Sequence, residues 1–369
     1  MVCQLVPRQA TCCRVALVSS FIHGLLLLLV SLLIAQLPAQ HLIAQDFPQH
    51  FLTLDMIGVL AWDDATAEYG PAEYGHGLSA ADARAGWLSL FDGNSTFGWK
   101  DAQVDNQGLF GGTTAAEFGI CNVLVDVTQA GWIKKGDTRL EVKGKQELKF
   151  SGSVAPIQLS DSVRVKSLRI QPTDLKSIFN GEDLTGWKRV DREMIPQDKG
   201  PEWKVSQGVI QANGGPGALE YVTEKHGDFV LQLEARSVIR HANAGVFFRA
   251  IPGDFMNGYE AQVYNRALDG DPAKPARYST GALDDHQMAR RLVSRDGEFF
   301  TMTVLARGPQ LATWVNGAQM TDWTDTRSPH DNPRQGLRMS AGAIQLQAHD
   351  PGTAVEFRNI RVRELRVTD

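Results

Sequence analysis

The chain has 369 residues, with 37 Lys and Arg against 42 Asp and Glu for a formal charge of −5, and it is 43% hydrophobic and 21% charged. A chain of this size buries a large core without disulfides or a structural metal, and its mild acidity, with no basic block, excludes a phosphate-neutralising nucleic-acid surface. Gly at 35 positions, against a usual ~7%, points to many tight turns and a β-rich chain.

Arg8 and Arg14 precede an apolar run from Val15 to Ala35. Uniform apolarity, rather than one apolar stripe, separates this run from an amphipathic core helix. Residues 1–44 are therefore read as an export signal or a membrane anchor through residues 15–35, and the protein as exported: periplasmic, extracellular or membrane-anchored. Cys3, Cys12 and Cys13 precede the run, which leaves Cys121 alone in an apolar stretch, as an inert buried thiol rather than a nucleophile. Residues 45–86 show no sustained period and contain Tyr69-Gly70-Pro71, so they read as a linker, with a short Ser-capped helix near Ser79–Ala85.

From residue 88 the chain alternates short half-apolar runs with Gly, Asn, Asp and Pro. Thr138–Val142, Phe229–Ala235 and Phe299–Val304 are examples of strands that bury one face, which two stacked antiparallel sheets satisfy. The expected class is an all-β antiparallel sandwich. Leu90-Phe91-Asp92-Gly93 followed by Gly98-Trp99-Lys100 recurs as Ile178-Phe179-Asn180-Gly181 followed by Gly186-Trp187-Lys188. Ile157-Gln158-Leu159 likewise echoes Ile344-Gln345-Leu346. The chain thus holds two β units, a reduced one at 88–174 that lacks the middle strands and a full one at 177–366.

Polar residues two apart share a strand face. Glu260, Gln262 and Tyr264 form one such set, Gln345, Gln347 and His349 another, and Trp314 with Asn316 a third, while Arg249 ends the run Gly245–Arg249. Amides, acids and a flat indole on neighbouring strands suit a carbohydrate groove; the plainer reading is a solvated sheet face.

The Phe-x-Gly and Gly-Trp openings, Gly245–Arg249, Gly258–Gln262, Thr280-Gly281-Ala282, Trp314–Gly317 and Ile344–His349 resemble the 3-keto-disaccharide hydrolase domain family. The resemblance implies a concanavalin A-like jelly roll, common in exported proteins of bacteria such as planctomycetes, that acts on glycosides oxidised at sugar carbon 3. The chain departs from the family pattern at Asn265, where an Asp is usual, and at Asp284-Asp285-His286.

Gln262 cannot ionise, so the paired carboxylates of a double-displacement glycosidase are absent from this strand. A 3-keto sugar needs less, because the ketone acidifies the proton on carbon 2. One base, Glu260 or His349, then suffices, with Arg249 stabilising the enolate and Gln262, Tyr264, Trp314, Asn316, Gln345 and Gln347 binding the sugar. Asp284, Asp285 and His286 are weak candidate ligands for an unknown divalent metal, and a metal-free reaction is the other reading. The alternative function is a non-catalytic, lectin-like surface module, which the same fold class also supports.

Overall fold

The two repeated openings fold by the same local bonds. The Trp99 indole donates to the Leu90 carbonyl at 2.5 Å and the Trp187 indole to the Ile178 carbonyl at 3.0 Å, closing loops of equal length. In one loop Asp92 Oδ1 accepts the backbone N–H groups of Asn94 and Ser95; in the other Asn180 Oδ1 accepts those of Glu182 and Asp183. Asp and Asn are favoured there because a short side-chain acceptor satisfies turn amides two and three residues on. The repeat is therefore a loop-closing device.

A computed structural model describes residues 70–191 and 200–366, all within one compact unit, Asp64–Asp369. The apolar run at 15–35 and residues 45–69 lie outside the described residues. Residues 70–86, read above as linker, are instead tied down. Arg295 donates to the carbonyls of Gly70 and Pro71, Glu73 N to Val293 O, Gly75 N to Asn316 O, and Arg169 to Gly77 O. Helix α1 (Ala80–Arg84) follows, with Ser79 and Asp82 forming a reciprocal cap.

The N-terminal sandwich contains β1 (Leu88–Ser89), β2 (Trp99–Lys100), β3 (Gln103–Asp105), β4 (Gly108–Phe110), β5 (Thr113–Thr114), β6 (Cys121–Gln129), β7 (Gly131–Lys135), β8 (Thr138–Val142), β9 (Lys145–Phe150), β10 (Ile157–Leu159) and β11 (Arg164–Pro172). The C-terminal sandwich contains β12 (Lys176–Ser177), β13 (Trp187–Asp191), β14 (Glu202–Ser206), β15 (Val209–Asn213), β16 (Gly217–His226), β17 (Phe229–Ser237), β18 (Ala244–Ala250), β19 (Tyr259–Val263), β20 (Phe300–Arg307), β21 (Gln310–Val315), β22 (Ala318–Thr324), β23 (Gly342–Ala348) and β24 (Ala354–Glu364). All named pairings are antiparallel, and the strands alternate between two sheets in jelly-roll fashion.

The sheet orders repeat. In the N-terminal sandwich they are β2-β5-β10-β7-β8 and β3-β4-β11-β6-β9; in the C-terminal one, β13-β16-β23-β18-β19 and β14-β15-β24-β17-β20-β21-β22. The expectation that the first unit lacks middle strands is therefore corrected. Among the described residues it lacks the counterpart of the β21–β22 hairpin, and a short connection between β8 and β9 stands where the second sandwich inserts residues 264–299. Short strands such as β3, β4 and β5, of two or three residues, hide the first part of this equivalence, because they carry too little alternation to read.

One core fills the C-terminal sandwich, with Phe248, Tyr259, Ala261, Leu346, Phe300 and Phe357 among its members. The core of the N-terminal sandwich does not stop at its own sheets. It continues onto Val230, Leu305, Ala312 and Trp314, the outward side of the larger C-terminal sheet. Cys121 belongs to it, and burial pushes its thiol up to about 11, consistent with an inert role.

Candidate functional site

Alternation along the smaller C-terminal sheet places Leu219, Val246, Ala261 and Leu346 in the core and their neighbours on the opposite face. Two rows of that face cross four strands. Glu220, Gln345, Phe247 and Glu260 are successive cross-strand partners, as are Ala218, Gln347, Gly245 and Gln262. The solvated-face reading fails here, because Glu260 is 3% exposed, Gln262 4%, Gln345 0% and Gln347 1%. Polar groups this buried cost free energy unless they are paired or used.

Glu260 is held from several sides. Its Oε2 accepts from Arg334 Nη2 at 2.7 Å, and Arg334 Nη1 donates to Asp284 Oδ2 at 2.5 Å. Asp284 N in turn donates to the Glu260 carbonyl at 3.0 Å, because Thr280–Asp284 runs along the edge of β19, with Gln262 N bonded to Ala282 O. A Cβ at Gly245 would stand 2.3 Å from Glu260 Oε1, so only glycine there leaves room for the carboxyl. Burial pushes Glu260 up to about 7, reinforced by the charge of Asp284 and opposed by Arg334 and His349. Arg334 itself sits in the loop between β22 and β23. Its Nε bonds the Met256 carbonyl at 3.1 Å, and its guanidinium lies 5.5 Å from the Phe247 ring.

Around this pair the floor offers acceptors. Gln345 Nε2 donates to Glu220 Oε2 at 2.8 Å and to the Asp254 carbonyl at 3.1 Å, which turns its Oε1 away without a protein donor. Gln347 Oε1 is also buried and without a donor. Gln262 Nε2 is bound to Asn243 Oδ1 at 2.8 Å. Phe247 and Phe255, packed edge to face at 6.3 Å, form an apolar end. Tyr264 lies just past β19 beside His241, and His349 lies just past β23, bonded through Nδ1 to Asp350.

Three expected site residues are elsewhere. Arg249 is fully buried at a bulge between Phe247 and Ala250, with φ +46°, and it clamps the carbonyls of Gly227, Gly308 and Arg338 and the carboxylate of Asp228. The bulge breaks the alternation that would have aimed it at the groove. Trp314 is 1% exposed and packs edge-on against Phe118 between the two sandwiches, its indole donating to Ser89 O. Asn316 and Gly317 both have positive φ and turn the β21–β22 hairpin, as an Asn-Gly pair between strands does. Asn316 also accepts Thr301 N and donates to Val293 O. None of these three touches the floor around Glu260.

The suggested metal ligands do not converge. Asp284 faces Arg334, Asp285 pairs with Arg277 at 3.0 Å, and His286 stacks on Trp323 with ring centroids 4.4 Å apart. Among the described residues no three His, Cys, Asp or Glu side chains form a group able to hold a metal ion. Asn265 has a structural role: its Nδ2 donates to Asp296 Oδ1 at 3.0 Å while its Oδ1 accepts from Thr280 and Ser294. An Asp there would set two carboxylates against each other. Arg334, Asp284 as its partner, and Glu220 are the residues that sequence reasoning missed as members of this floor. Glu220 alternates with core Leu219 and Tyr221, which was a usable signal; Arg334, in a Pro-bearing loop, gave none.

These features define a β-sandwich with a buried, arginine-bound carboxyl on one sheet face. Residues 174–363, just over half of the chain, match the family described as the 3-keto-alpha-glucoside-1,2-lyase-like domain. The chain belongs to that family, which places it among carbohydrate-active proteins. No curated protein sequence matches it. A Parabacteroides distasonis ATCC 8503 structure named a "putative glycosyl hydrolase" is similar over 52% of this chain and 94% of its own, at 20% identity and TM-score 0.41. The carbohydrate binding module CBM66 from Bacillus subtilis is similar over 48% and 96%, at 15% identity and TM-score 0.36. A Bacillus licheniformis beta-glucanase is similar over 53% and 100%, at 13% and 0.36.

Proposed function

We propose that the C-terminal sandwich of an exported protein cleaves 3-keto-glycosides, with Glu260 as the base. One observation carries this reading: a carboxyl that burial raises to about 7 while it remains bonded to a guanidinium. A base of that pKa is matched to proton transfer near neutral pH. Glu260 takes the proton from carbon 2, the electron pair moves toward the carbon 3 ketone, and the enolate expels the substituent at carbon 1. The departing oxygen takes up the proton that Glu260 accepted, and water adds across the resulting carbon 1–carbon 2 double bond, its hydroxyl to carbon 1 and its proton to carbon 2, to complete a net hydrolysis. Arg334 takes the enolate-stabilising role that the sequence suggested for Arg249, and the free Oε1 atoms of Gln345 and Gln347 accept sugar hydroxyls.

The test incubates the full chain with a 3-keto-glucoside and with its unoxidised parent. Release of the aglycone from the keto form alone is expected. Equal cleavage of both overturns the elimination route, and saturable binding without cleavage identifies the lectin-like alternative.

Arg334 gives a separate prediction. Arg334→Met leaves Glu260 facing burial and Asp284 without its counter-charge, so its pKa rises further. The pH–kcat/KM midpoint is expected to move above 7, and the rate at neutral pH to fall roughly tenfold for every pH unit by which the midpoint moves. An unchanged midpoint would show that Arg334 does not control the base.

A further inference from the structure

A cavity of about 450 Å³ lies away from Glu260, where the segment 70–78, the first repeated loop and the edge of the larger C-terminal sheet meet. That volume is within the ~300–1,000 Å³ of ordinary small-molecule sites. None of its lining residues belongs to the floor around Glu260. Tyr74, Asn94, Phe97, Arg290, Arg291 and Gln319 line it, so separate stretches of chain build it.

Its charges are paired off. Arg290 Nη2 donates to Asp92 Oδ2 at 2.7 Å, and Arg291 Nη1 lies 2.9 Å from Glu73 Oε2. Burial works against the Asp92 charge, yet bonds from Ser95 and Arg290 hold its carboxyl down at about 2, so the pair stays ionised and balanced. The Arg290 guanidinium is also seated over the Phe97 ring, 4.2 Å from its centroid. A site of balanced charge gives no Coulombic advantage to an ion. It presents planar guanidinium and amide donors, carboxylate and amide acceptors, and two aromatic rings. A hydroxyl is both donor and acceptor, and a sugar ring has an apolar face, so a neutral saccharide answers each of these groups.

We propose that this cavity is a second saccharide-binding site, independent of turnover at Glu260. It recruits an unoxidised neutral sugar unit. The loop from Asp92 to Gly98 therefore serves for binding as well as for closing the fold.

The test uses the full chain carrying Glu260→Gln, titrated by calorimetry with cellobiose, maltose and trehalose. Saturable binding of at least one disaccharide is expected. Addition of Asn94→Ala, at an exposed position, is expected to weaken it at least tenfold, and Asn94→Ala with Tyr74→Ala to abolish it. Against the unsubstituted Glu260, the same changes leave cleavage of a 3-keto-glucoside unchanged. Absence of binding by all three sugars overturns the proposal, as does binding that survives Asn94→Ala in a protein with an unaltered melting temperature.

Discussion

Glu260→Gln is expected to lower kcat/KM for a 3-keto-glucoside by about 10²- to 10⁴-fold, the range lost with a general base. The amide keeps the shape of the carboxyl and its place over Gly245, so circular dichroism and quaternary behaviour should not change. In the unsubstituted protein, activity should rise with pH through about 7, as burial releases the Glu260 proton late. Stability should move in the opposite sense. A folded-state pKa above the ordinary 4.5 means that the native state binds the proton more tightly than the unfolded chain does. That contribution is complete below about 4.5 and declines as pH rises through about 7. Urea midpoints measured across this window should fall with pH in the parent more than in Glu260→Gln. Equal slopes, or near-normal turnover by the variant, would remove Glu260 from the mechanism.

Trp314→Ala is expected to destabilise the fold by about 3–5 kcal/mol, the usual cost of emptying a large aromatic site. Trp314 lies in a row with Gln232 and Thr303 on the outward side of the larger sheet, where Gln232 Nε2 also bonds the Gly86 carbonyl at 3.0 Å. Thermal unfolding should show one transition, lowered for both sandwiches together, because their apolar clusters share this surface. Had the indole stacked on a sugar, the substitution would raise KM and spare stability. A variant with an unaltered melting temperature and a raised KM would restore that role and contradict the interface.

Much of the architecture was legible because its signals are local. The Gly-Trp openings close their loops through bonds spanning nine residues, and the long strands β17 and β20 alternate cleanly. The polar rows were legible for the same reason: Gln345, Gln347, Glu260 and Gln262 obey the two-residue period. Arg249 misled because a positive φ resets that period within one residue. Trp314 and Asn316 misled because their surroundings come from distant chain, Ser89 and Phe118 for one, Val293 and Thr301 for the other. Arg334 is 74 positions from Glu260, and no periodicity relates a loop arginine to a strand carboxylate. In the first sandwich β3, β4 and β5 went unread because two or three residues cannot display a period, whereas β6, nine residues with alternating burial, carried a period that could have been read.

The repeated register has an evolutionary consequence. Gln158 pairs with Thr113 and Lys134, and Lys134 with Arg139, as Gln345 pairs with Glu220 and Phe247, and Phe247 with Glu260. Arg139 thus occupies the place of the carboxylate, and Trp132, two residues before Lys134, fills the place that Gly245 leaves empty. A duplicated ancestor would have begun with two equivalent faces. In such a history the face of the first copy would be free to drift once the second sufficed, whereas its core would not, since part of that core is the outer side of the larger C-terminal sheet. Selection on this half should therefore act on inward-pointing residues such as Val123 and Phe150 and leave Arg139 or Lys100 to vary, a pattern of substitution rates opposite to that of the second half's polar face.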